Sequence, residues 1–459
     1  MELTQDNFPD LRHLGRDFVW GVATSSFQIE GASSAAQRGA SIWDAFCARP
    51  GAILDGSHGL RACEHVDRLE EDLDLIASLG VTAYRYSISW PRVQPDGMGA
   101  VNPQGLDFYE RLTDGLLERG VQPYATLYHW DLPLALQRRY GGWYGRETVD
   151  RFADYADTIA RHLGDRTTSI ATINEPWVVA MLGHEHGVFA PGLKSRELAL
   201  QVAHHLLVAH GLGAQAIRSR CKTKVGIVLN MSPIHPLTNS DADVQKARID
   251  DGMINRWYMD ALFNGRYPQD IIDHYGTDAP EPEAKDFATI AQPIDFLGVN
   301  YYTRNFASTG DPWSASASGA AVTDMGWEIY PAGLTELLVR LHRDWSCPAI
   351  FVTENGAAFP DQLVDGAVDD RARIEYLATH IAAVDEAASQ GVPMAGYFVW
   401  SLMDNFEWSS GYLRRFGIVY TEYDSLERTP KASALWYADL LGRLRRAGGA
   451  ESAASTTAR

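Results

Sequence analysis

The 459-residue sequence has few cysteines, fewer basic than acidic residues and no long apolar run. Its four cysteines, Cys47, Cys63, Cys221 and Cys347, are far apart and show no C-x-x-C spacing, which argues against a disulfide framework and against a zinc site. The small number and wide spacing of the cysteines predict reduced thiols and a cytoplasmic protein. There are 40 Lys and Arg residues against 59 Asp and Glu, so the formal net charge is −19. Such a chain repels phosphate backbones, and nucleic acid is not expected as a partner.

No segment has the apolar length of a membrane span, and residues 1–15 are polar where a signal peptide would be apolar. We therefore expect no membrane anchor. The sequence does contain 46% hydrophobic residues, enough for a sizeable core. Residues 1–446 are predicted to form one domain, and the small, polar residues 447–459 a disordered tail. The composition leaves both a monomer and a homo-oligomer open.

Short β-branched or aromatic runs alternate with amphipathic stretches, which is typical of β-α units around a parallel sheet. Eight strands are predicted, at 18–24, 83–87, 122–127, 169–173, 224–229, 296–300, 350–353 and 394–400. Helices are predicted at 64–79, 104–119, 147–163, 197–218, 331–344, 369–390 and 429–444. Eight such units close most naturally into a single (β/α)₈ TIM barrel with its active site at the C-terminal face. A doubly wound sheet is the alternative, but no Gly-rich phosphate loop follows Thr24.

Polar or aromatic side chains lie in, at the end of or directly after each of the eight predicted strands, near the face where a barrel places its functional groups. In strand order they are Gln28; Arg85; His129 and Trp130; Asn174 and Glu175; Asn230; Asn300, Tyr301 and Tyr302; Glu354 and Asn355; and Trp400, Glu407 and Trp408.

Glu175 and Glu354 each follow directly on an apolar strand, the fourth and the seventh, which face each other across a barrel. A pair of carboxyl groups flanking one bond is what glycoside hydrolysis needs, one to protonate the leaving oxygen and one to attack the anomeric carbon. A separation of about 5–5.5 Å would give retention of configuration. The alternative is that each glutamate only caps or pairs locally at its strand end.

The neighbouring residue types fit this chemistry. Arg85 is costly to bury unless paired, and Glu354 would be its partner and stay ionised as a nucleophile. Glu175 must hold a proton near neutral pH, so burial and repulsion from Glu354 should raise its pKa. Flat apolar faces for a pyranose are offered by Trp130, Trp327, Trp400 and Trp408, and hydrogen bonds to hydroxyls by Gln28, His129, Asn174 and Glu407. Core packing is the competing interpretation of each tryptophan.

With these residues assembled, the chain resembles the β-glucosidases of glycoside hydrolase family 1 from about Phe18 to Tyr437. The matching stretches are 18–24 (FVWGVAT), 28–31 (QIEG), 84–92 (YRYSISWPR), 129–133 (HWDLP), 172–176 (TINEP), 298–303 (GVNYYT), 325–328 (MGWE), 352–356 (VTENG) and 400–408 (WSLMDNFEW).

The resemblance implies that Glu354 is the nucleophile and Glu175 the acid/base, with Arg85 and Tyr302 around the nucleophile and Asn174 on the sugar 2-hydroxyl. Gln28, His129, Glu407 and Trp408 would bind the other hydroxyls. Trp400 would lie under the sugar ring, Trp327 beside the leaving group, and Trp130, Asn230, Asn300 and Phe416 would complete the lining. No cofactor is implied.

The sequence departs from the family where His-Ala-Pro-Gly is common: it has Phe189-Ala190-Pro191-Gly192, so no role is carried over there. His184 and His186 lie in a predicted solvated loop without a third ligand, and no metal is expected.

The implied activity is an exo-acting, retaining β-glucosidase that also accepts β-galactosides or β-fucosides, with small glycosides and cello-oligosaccharides as substrates. The Glu407-Trp408 pair argues against 6-phosphorylated sugars. An endo-acting glycanase and a silent sugar-binding barrel stay open as alternatives, as does the aglycone, which depends on loops near Val178, Trp327 and 307–322.

Overall fold

The protein, seen in a computed structural model that describes residues 8–31, 38–310 and 319–457, is built around a closed barrel of eight parallel strands. The strands are β1 (Val19–Ala23), β2 (Ala83–Ser87), β3 (Gln122–Tyr128), β4 (Ser169–Asn174), β5 (Lys224–Asn230), β6 (Phe296–Asn300), β7 (Ala349–Asn355) and β8 (Met394–Trp400). They follow one another around the barrel, and β8 pairs with β1 to close it. The predicted (β/α)₈ TIM barrel is confirmed.

Strands β2, β6 and β8 have the predicted bounds, and the others differ by one or two residues at one end or, in β1 and β7, at both. The largest extension is that of β7, which continues through Glu354 and Asn355. Both faces of these strands are covered, so nearly every strand residue is buried and most are apolar; the polar exceptions include Arg85, Asn174 and Glu354.

Long helices cover the outside of the barrel. They are Leu69–Ser78, Pro103–Glu118, Arg146–Leu163, Arg196–Arg220, Pro331–Trp345, Arg371–Ser389 and Ala432–Thr457. In Arg146–Leu163 the buried positions recur every three or four residues, as an amphipathic helix against a core requires. The sequence periodicity predicts these helices for this reason.

The first long helix begins at Leu69, five residues after its predicted start at residue 64. Glu64 has a φ of +51°, which is outside the helical region. The backbone amides of Cys63 and His65 both donate to the carbonyl of Ile29, at 3.1 Å, so this segment is held against the loop after β1. A tertiary contact overrides the helical pattern here.

The last helix, Ala432–Thr457, runs through most of the segment 447–459 for which composition predicts a disordered tail. The described backbone is helical up to residue 457. The segment is rich in alanine, and it continues a helix that is already anchored to the barrel, so each added residue needs no new nucleus.

Shorter elements fill the loops between the strands. Helical segments are Ser26–Ile29, Ile42–Cys47, Trp90–Val93, Leu134–Tyr140, Gly142–Tyr144, Val178–Glu185, Asp241–Asp251, Gly252–Arg256, Trp257–Asn264, Gln269–Tyr275, Gly276–Asp278, Asp286–Ile290 and Trp408–Ser410. Two small sheets pair Ile234–Pro236 with Asn305–Ala307 and Val419–Thr421 with Arg428–Pro430. Among the described residues, no helix has the length and apolar character needed to cross a membrane.

The barrel interior is filled by aromatic side chains, among them Tyr124, Phe351 and Phe398. Their rings are 5.2–6.4 Å apart, and glycine makes room for them: a Cβ on Gly21 would lie 2.3 Å from the Phe398 ring. The same cluster continues upward to Trp400 at the end of β8. The packed interior therefore forms the floor beneath the strand ends.

Candidate active site

A cavity of about 330 Å³ opens at the C-terminal ends of the strands. Twelve of the fifteen predicted site residues line it: His129, Trp130, Glu175, Asn230, Asn300, Tyr302, Trp327, Glu354, Trp400, Glu407, Trp408 and Phe416. The other three, Arg85, Asn174 and Gln28, are buried directly behind the lining. Residues as far apart in the chain as His129 and Phe416 thus meet in one hollow.

Glu354 receives two short hydrogen bonds. The Arg85 guanidinium donates to Oε1 and the Tyr302 hydroxyl to Oε2, each at 2.6 Å. The register between β6 and β7 shifts between Val352 and Glu354, where β7 carries one extra residue. Such a bulge redirects the side chains beyond it, and here it accompanies the turn of the carboxylate into the cavity.

Glu175 has different neighbours. Its Oε1 accepts a hydrogen bond of 2.6 Å from the Asn300 side-chain amide, and no guanidinium or hydroxyl donor is bonded to it among the described residues. Burial and, second, the negative charge of Glu354 raise its pKa to about 8, while the Asn300 hydrogen bond acts in the opposite direction. At neutral pH this carboxyl group is therefore mostly protonated.

Backbone conformation contributes to the placement of Glu175. Its φ is +50°, a left-handed value that is uncommon outside glycine, and Trp130 and Trp408 in the same lining have φ values of +82° and +47°. The Glu175 amide donates to the Val228 carbonyl at 2.9 Å and holds the residue there. Strain of this kind, maintained by surrounding hydrogen bonds, is often found at functional sites.

Asn174 connects the two glutamates through side-chain hydrogen bonds. Its Oδ1 accepts from Arg85 at 2.6 Å and from Asn300 at 3.2 Å, so the residues bonded to Glu354 and to Glu175 meet at one oxygen. Thr353 in turn donates to Asn300 Oδ1 at 2.7 Å. This network holds both carboxyl groups in fixed orientations.

One end of the cavity is polar and deeply buried. Among the described residues, Glu407 Oε2 and His129 Nδ1 are buried without a hydrogen-bond partner. Burial and the charge of Glu354 raise the pKa of Glu407 to about 8, and burial followed by the charge of Arg85 lowers the pKa of His129 well below its usual value. A neutral imidazole and a carboxyl group thus face this end, where they could bind hydroxyls.

Gln28 lies behind Glu407 and is fully buried. Its amide nitrogen donates to Asn405 Oδ1 at 3.0 Å and to the Phe406 carbonyl at 2.9 Å, and its oxygen accepts from Ser25 at 2.6 Å. The structure therefore shows Gln28 bracing the segment that leads to Glu407.

Aromatic rings form the walls. The His129 ring is stacked on Trp400 and on Trp408, with centroids 5.8 and 6.0 Å apart. On the other side, Trp327 packs against Tyr302 and Phe416, at 5.4 and 6.2 Å. The cavity thus combines a polar end with flat apolar faces, the usual composition of a sugar-binding pocket.

Several lining residues were not predicted as site residues, and most of them are apolar. They are Trp177, Val178, Leu182, Phe189, Met231, Ser232, Ile254, Thr303, Asn305 and Met325. Val178, Leu182 and Ile254 belong to the π-helical segments Val178–Glu185 and Gly252–Arg256. Nothing in the sequence distinguishes such residues from core, although Phe189 stands where the chain departs from the family pattern.

His184 is 1% exposed within Val178–Glu185, and its Nδ1 contacts the Val179 carbonyl at 2.8 Å. The prediction of a solvated loop is wrong for this residue, because the surrounding apolar turn buries it. Within the described ranges, no three His, Cys, Asp or Glu side chains are grouped as metal ligands. Of the segment 307–322 expected near the leaving group, residues 311–318 lie outside the described part.

Known proteins are similar to this chain over nearly its whole length. The model of Glycosyl hydrolase family 1 matches residues 10–444. A β-glucosidase from Agrobacterium sp. is 45% identical over 433 residues, covering 92% of this chain and 94% of the relative. A bifunctional β-D-glucosidase/β-D-fucosidase from Bifidobacterium breve is 43% identical over 451 residues, covering 92% and 96%.

Among solved structures, the family 1 β-glucosidase from Thermotoga maritima superposes with a TM-score of 0.92 at 41% identity, covering 95% of this chain and 99% of that one. The protein is thus a glycoside hydrolase on a TIM barrel. It belongs to glycosyl hydrolase family 1.

Proposed function

We propose that the protein is an exo-acting, retaining β-glucosidase that removes terminal β-D-glucosyl residues and also accepts β-fucosides and β-galactosides. The observation that carries this proposal is the unequal pair of carboxyl groups in one cavity. Glu354 is bonded to a guanidinium and a hydroxyl, whereas burial and the charge of Glu354 raise the pKa of Glu175 to about 8.

In the first step, the Glu354 carboxylate attacks the anomeric carbon while Glu175 gives its proton to the glycosidic oxygen. The bond from the anomeric carbon to that oxygen breaks, the aglycone leaves as an alcohol, and a glycosyl ester of Glu354 remains. Arg85 and Tyr302 orient the attacking carboxylate through their 2.6 Å hydrogen bonds.

In the second step, Glu175 acts as a base. Esterification removes the negative charge of Glu354, which is the second cause of the raised pKa of Glu175, so this pKa falls in the intermediate. Glu175 then takes a proton from a water molecule whose oxygen attacks the anomeric carbon. The sugar leaves with its original configuration, and the Glu354 carboxylate is restored.

The polar end of the cavity fits the glycon. Gln28, His129, Glu407 and Trp408 would bind the sugar hydroxyls, with Glu407 and Trp408 at the 4- and 6-hydroxyls, and Trp400 would lie against the ring. Asn174 would hydrogen-bond the 2-hydroxyl, and Asn300 would hold Glu175 in place. The apolar outer wall, with Trp327, Phe416 and Asn230, would contact the aglycone, and Trp130 would complete the inner lining.

Acceptance of fucosides rests on the Bifidobacterium breve relative, whose name carries both activities. A cytoplasmic location is proposed from Cys47, Cys63, Cys221 and Cys347, all free thiols.

The two glutamate roles are tested by azide rescue of an aryl β-glucoside assay. Glu354→Ala should lower kcat by at least about 10⁴-fold, and azide should restore turnover to give the α-glucosyl azide. Glu175→Ala should lose about 10²–10⁴-fold, and azide should give the β-glucosyl azide. The anomeric configuration is read by NMR. The same anomer from both variants, or the reverse assignment, would refute these roles.

A further inference from the structure

A buried cluster of charges lies beside the cavity and takes no part in the proposed chemistry. It joins three carboxylates to three cations: Asp361, Asp370, Asp404, Arg373, Arg415 and Lys431. All these side chains are 0–3% exposed except that of Arg415, at 17%. The formal charges balance, so the cluster is neutral as a whole.

Within this cluster, Asp404 is the carboxylate that lies nearest in the chain to Glu407, which faces the polar end of the cavity. Its carboxylate accepts from Lys431 Nζ at 2.8 Å, from Arg415 at 2.7 Å and from the Gly417 backbone amide at 2.9 Å. Asp404 is three residues before Glu407, and Gly417 directly follows Phe416. One carboxylate therefore ties together the two ends of segment 404–417, which we call the sugar-side loop.

The packing at this point leaves little freedom. A Cβ on Gly417 would lie 2.1 Å from the Asp404 amide nitrogen, so the two backbone segments are in close contact. The Asp404 amide also donates to the Val419 carbonyl at 2.9 Å. A shift of Asp404 would consequently move the whole sugar-side loop.

Lys431 extends the cluster to the loop after β7. Its ammonium group contacts Asp361 at 2.5 Å as well as Asp404. Asp361 is bonded to Arg373, which also donates to the Ala357 carbonyl at 3.3 Å and to the Arg415 carbonyl at 2.8 Å. Ala357 is three residues after Glu354, so the cluster connects the segment that carries Glu354 with the one that carries Glu407.

Buried ion pairs add little net stability, because desolvation offsets most of their attraction and apolar residues would often stabilise the fold as well. Their directional hydrogen bonds do fix relative positions, in the way that groups behind a binding site orient the groups that touch the ligand. The geometry of this cluster is therefore better explained by a role in fixing the relative positions of the segments that it joins than by a contribution to the stability of the fold.

We propose that the bridge from Asp404 through Lys431 to Asp361 is a positioning device that holds Glu407 at a set distance from Glu354, and so determines selectivity for sugars with a 6-hydroxymethyl group. This inference rests on the proposed function, in which Glu407 binds the 6-hydroxyl of the glycon. Asp404, Lys431 and Asp361 are positioning residues and contact no substrate themselves.

The test compares an aryl β-glucoside with the aryl β-xyloside of the same aglycone, which has no 6-hydroxymethyl group. In Asp404→Asn, kcat/KM for the glucoside should fall about tenfold, and that for the xyloside by less than about threefold. The glucoside-to-xyloside ratio therefore falls. A loss of general stability alone would lower both values together and leave the ratio unchanged.

Asp361→Asn is the second variant, and it keeps all three donors to Asp404. It should lower the glucoside-to-xyloside ratio of kcat/KM by about threefold. If Asp404→Asn does not fold, this variant tests the proposal by itself. The matched control is Asp286→Asn, a fully buried carboxylate bonded to Arg146 and His204 outside the cavity. The control should lower Tm without changing the ratio.

The proposal is overturned if the folded variants keep the wild-type ratio, or if Asp286→Asn changes it equally. Failure of the proposed function looks different, since the wild-type chain would then hydrolyse neither glycoside. In that event the affinities of the wild type and the variants for glucose and for xylose are measured by calorimetry, and the glucose-to-xylose affinity ratio replaces the ratio of kcat/KM values. An unchanged affinity ratio in the variants would refute the positioning device on its own.

Discussion

Glu175 and Glu354 have the same side chain, and their surroundings make them chemically different. Glu354 accepts hydrogen bonds from the Arg85 guanidinium, which is a cation, and from the Tyr302 hydroxyl. Glu175 is buried and accepts one hydrogen bond, from the neutral side-chain amide of Asn300. Desolvation disfavours an ionised carboxyl group, and a neighbouring negative charge adds to the effect. Division of labour between acid and nucleophile is thus a property of the neighbours.

The pH dependence of activity follows from this difference. Glu175 must be protonated in the free enzyme, and its pKa is raised to about 8. Its ionisation should therefore give the kcat/KM profile an alkaline limb, on which kcat/KM is constant below pH 7 and falls as the pH rises through about 8. Asn300→Ala removes a hydrogen bond that favours the ionised form, and should move the limb to higher pH.

Glu407→Gln should move the same limb to lower pH, because the charge of Glu407 is among the causes that raise the pKa of Glu175. Opposite shifts in the two variants, measured as kcat/KM profiles with an aryl β-glucoside, would assign the limb to Glu175. A limb that stays in place in both variants would show that another group sets it.

Glu175 directly follows β4 and Glu354 lies in β7, and both strands contain a register irregularity just before their ends. Regular alternation alone would direct every second side chain to the same face. One additional residue in β7 changes which side chain points inward, so Thr353 reaches Asn300 and Glu354 reaches Arg85. The bulge is therefore part of the site.

The end of β7 also depends on a close approach to β8. A Cβ on Gly356 would lie 1.6 Å from the Trp400 carbonyl oxygen, which is backbone and cannot turn aside. Gly356→Ala should lower the free energy of unfolding by roughly 1–3 kcal/mol. It should also reduce kcat about tenfold or more, because Glu354 is two residues away.

Urea unfolding and aryl glucoside kinetics measure these two effects. Gly15→Ala is the control, since a Cβ there would meet no atom within 4 Å, and it should leave both quantities near wild type. Full stability and activity of Gly356→Ala would contradict the close approach.

The chain as a whole carries a formal charge of −19, and the cavity contains Glu175, Glu354 and Glu407. A neutral glucoside does not interact with this net charge, whereas a 6-phosphorylated one brings two negative charges into a cavity that already contains the Glu354 carboxylate. Like charges placed together cost several kcal/mol.

We therefore expect kcat/KM for an aryl 6-phospho-β-glucoside to be at least about a hundredfold below that for the aryl β-glucoside. The two substrates are compared at low and at high salt. Comparable values at low salt would show that the charge of the cavity does not select against phosphate.

Much of this architecture could be predicted because it depends on local pattern. Strands at Ala83–Ser87, Phe296–Asn300 and Met394–Trp400 agree with prediction residue for residue, since buried parallel strands are mostly apolar or aromatic runs between turn residues. The family, the barrel and the glycoside hydrolase class follow from the motifs at the strand ends, and the comparisons confirm them.

The outer wall could not be predicted in the same way. Leu182, Met231 and Ile254 have no feature that separates a pocket lining from a core, because both are apolar and only the location of the void distinguishes them. The many short helices between residues 241 and 290 were missed as well, since brief elements carry too little periodicity to be recognised.

The amino-acid sequence by itself thus determined the number and order of strands, the family and the residue types at the site, because each depends on neighbours within a few positions. Only the tertiary structure decided what each group does electrostatically. Arg85 and Glu354 are 269 positions apart, as Gln28 and Asn405 are 377 apart, and their pairing exists only when the barrel closes. Desolvation and charge act through space, so the pKa of Glu175 depends on the folded cavity.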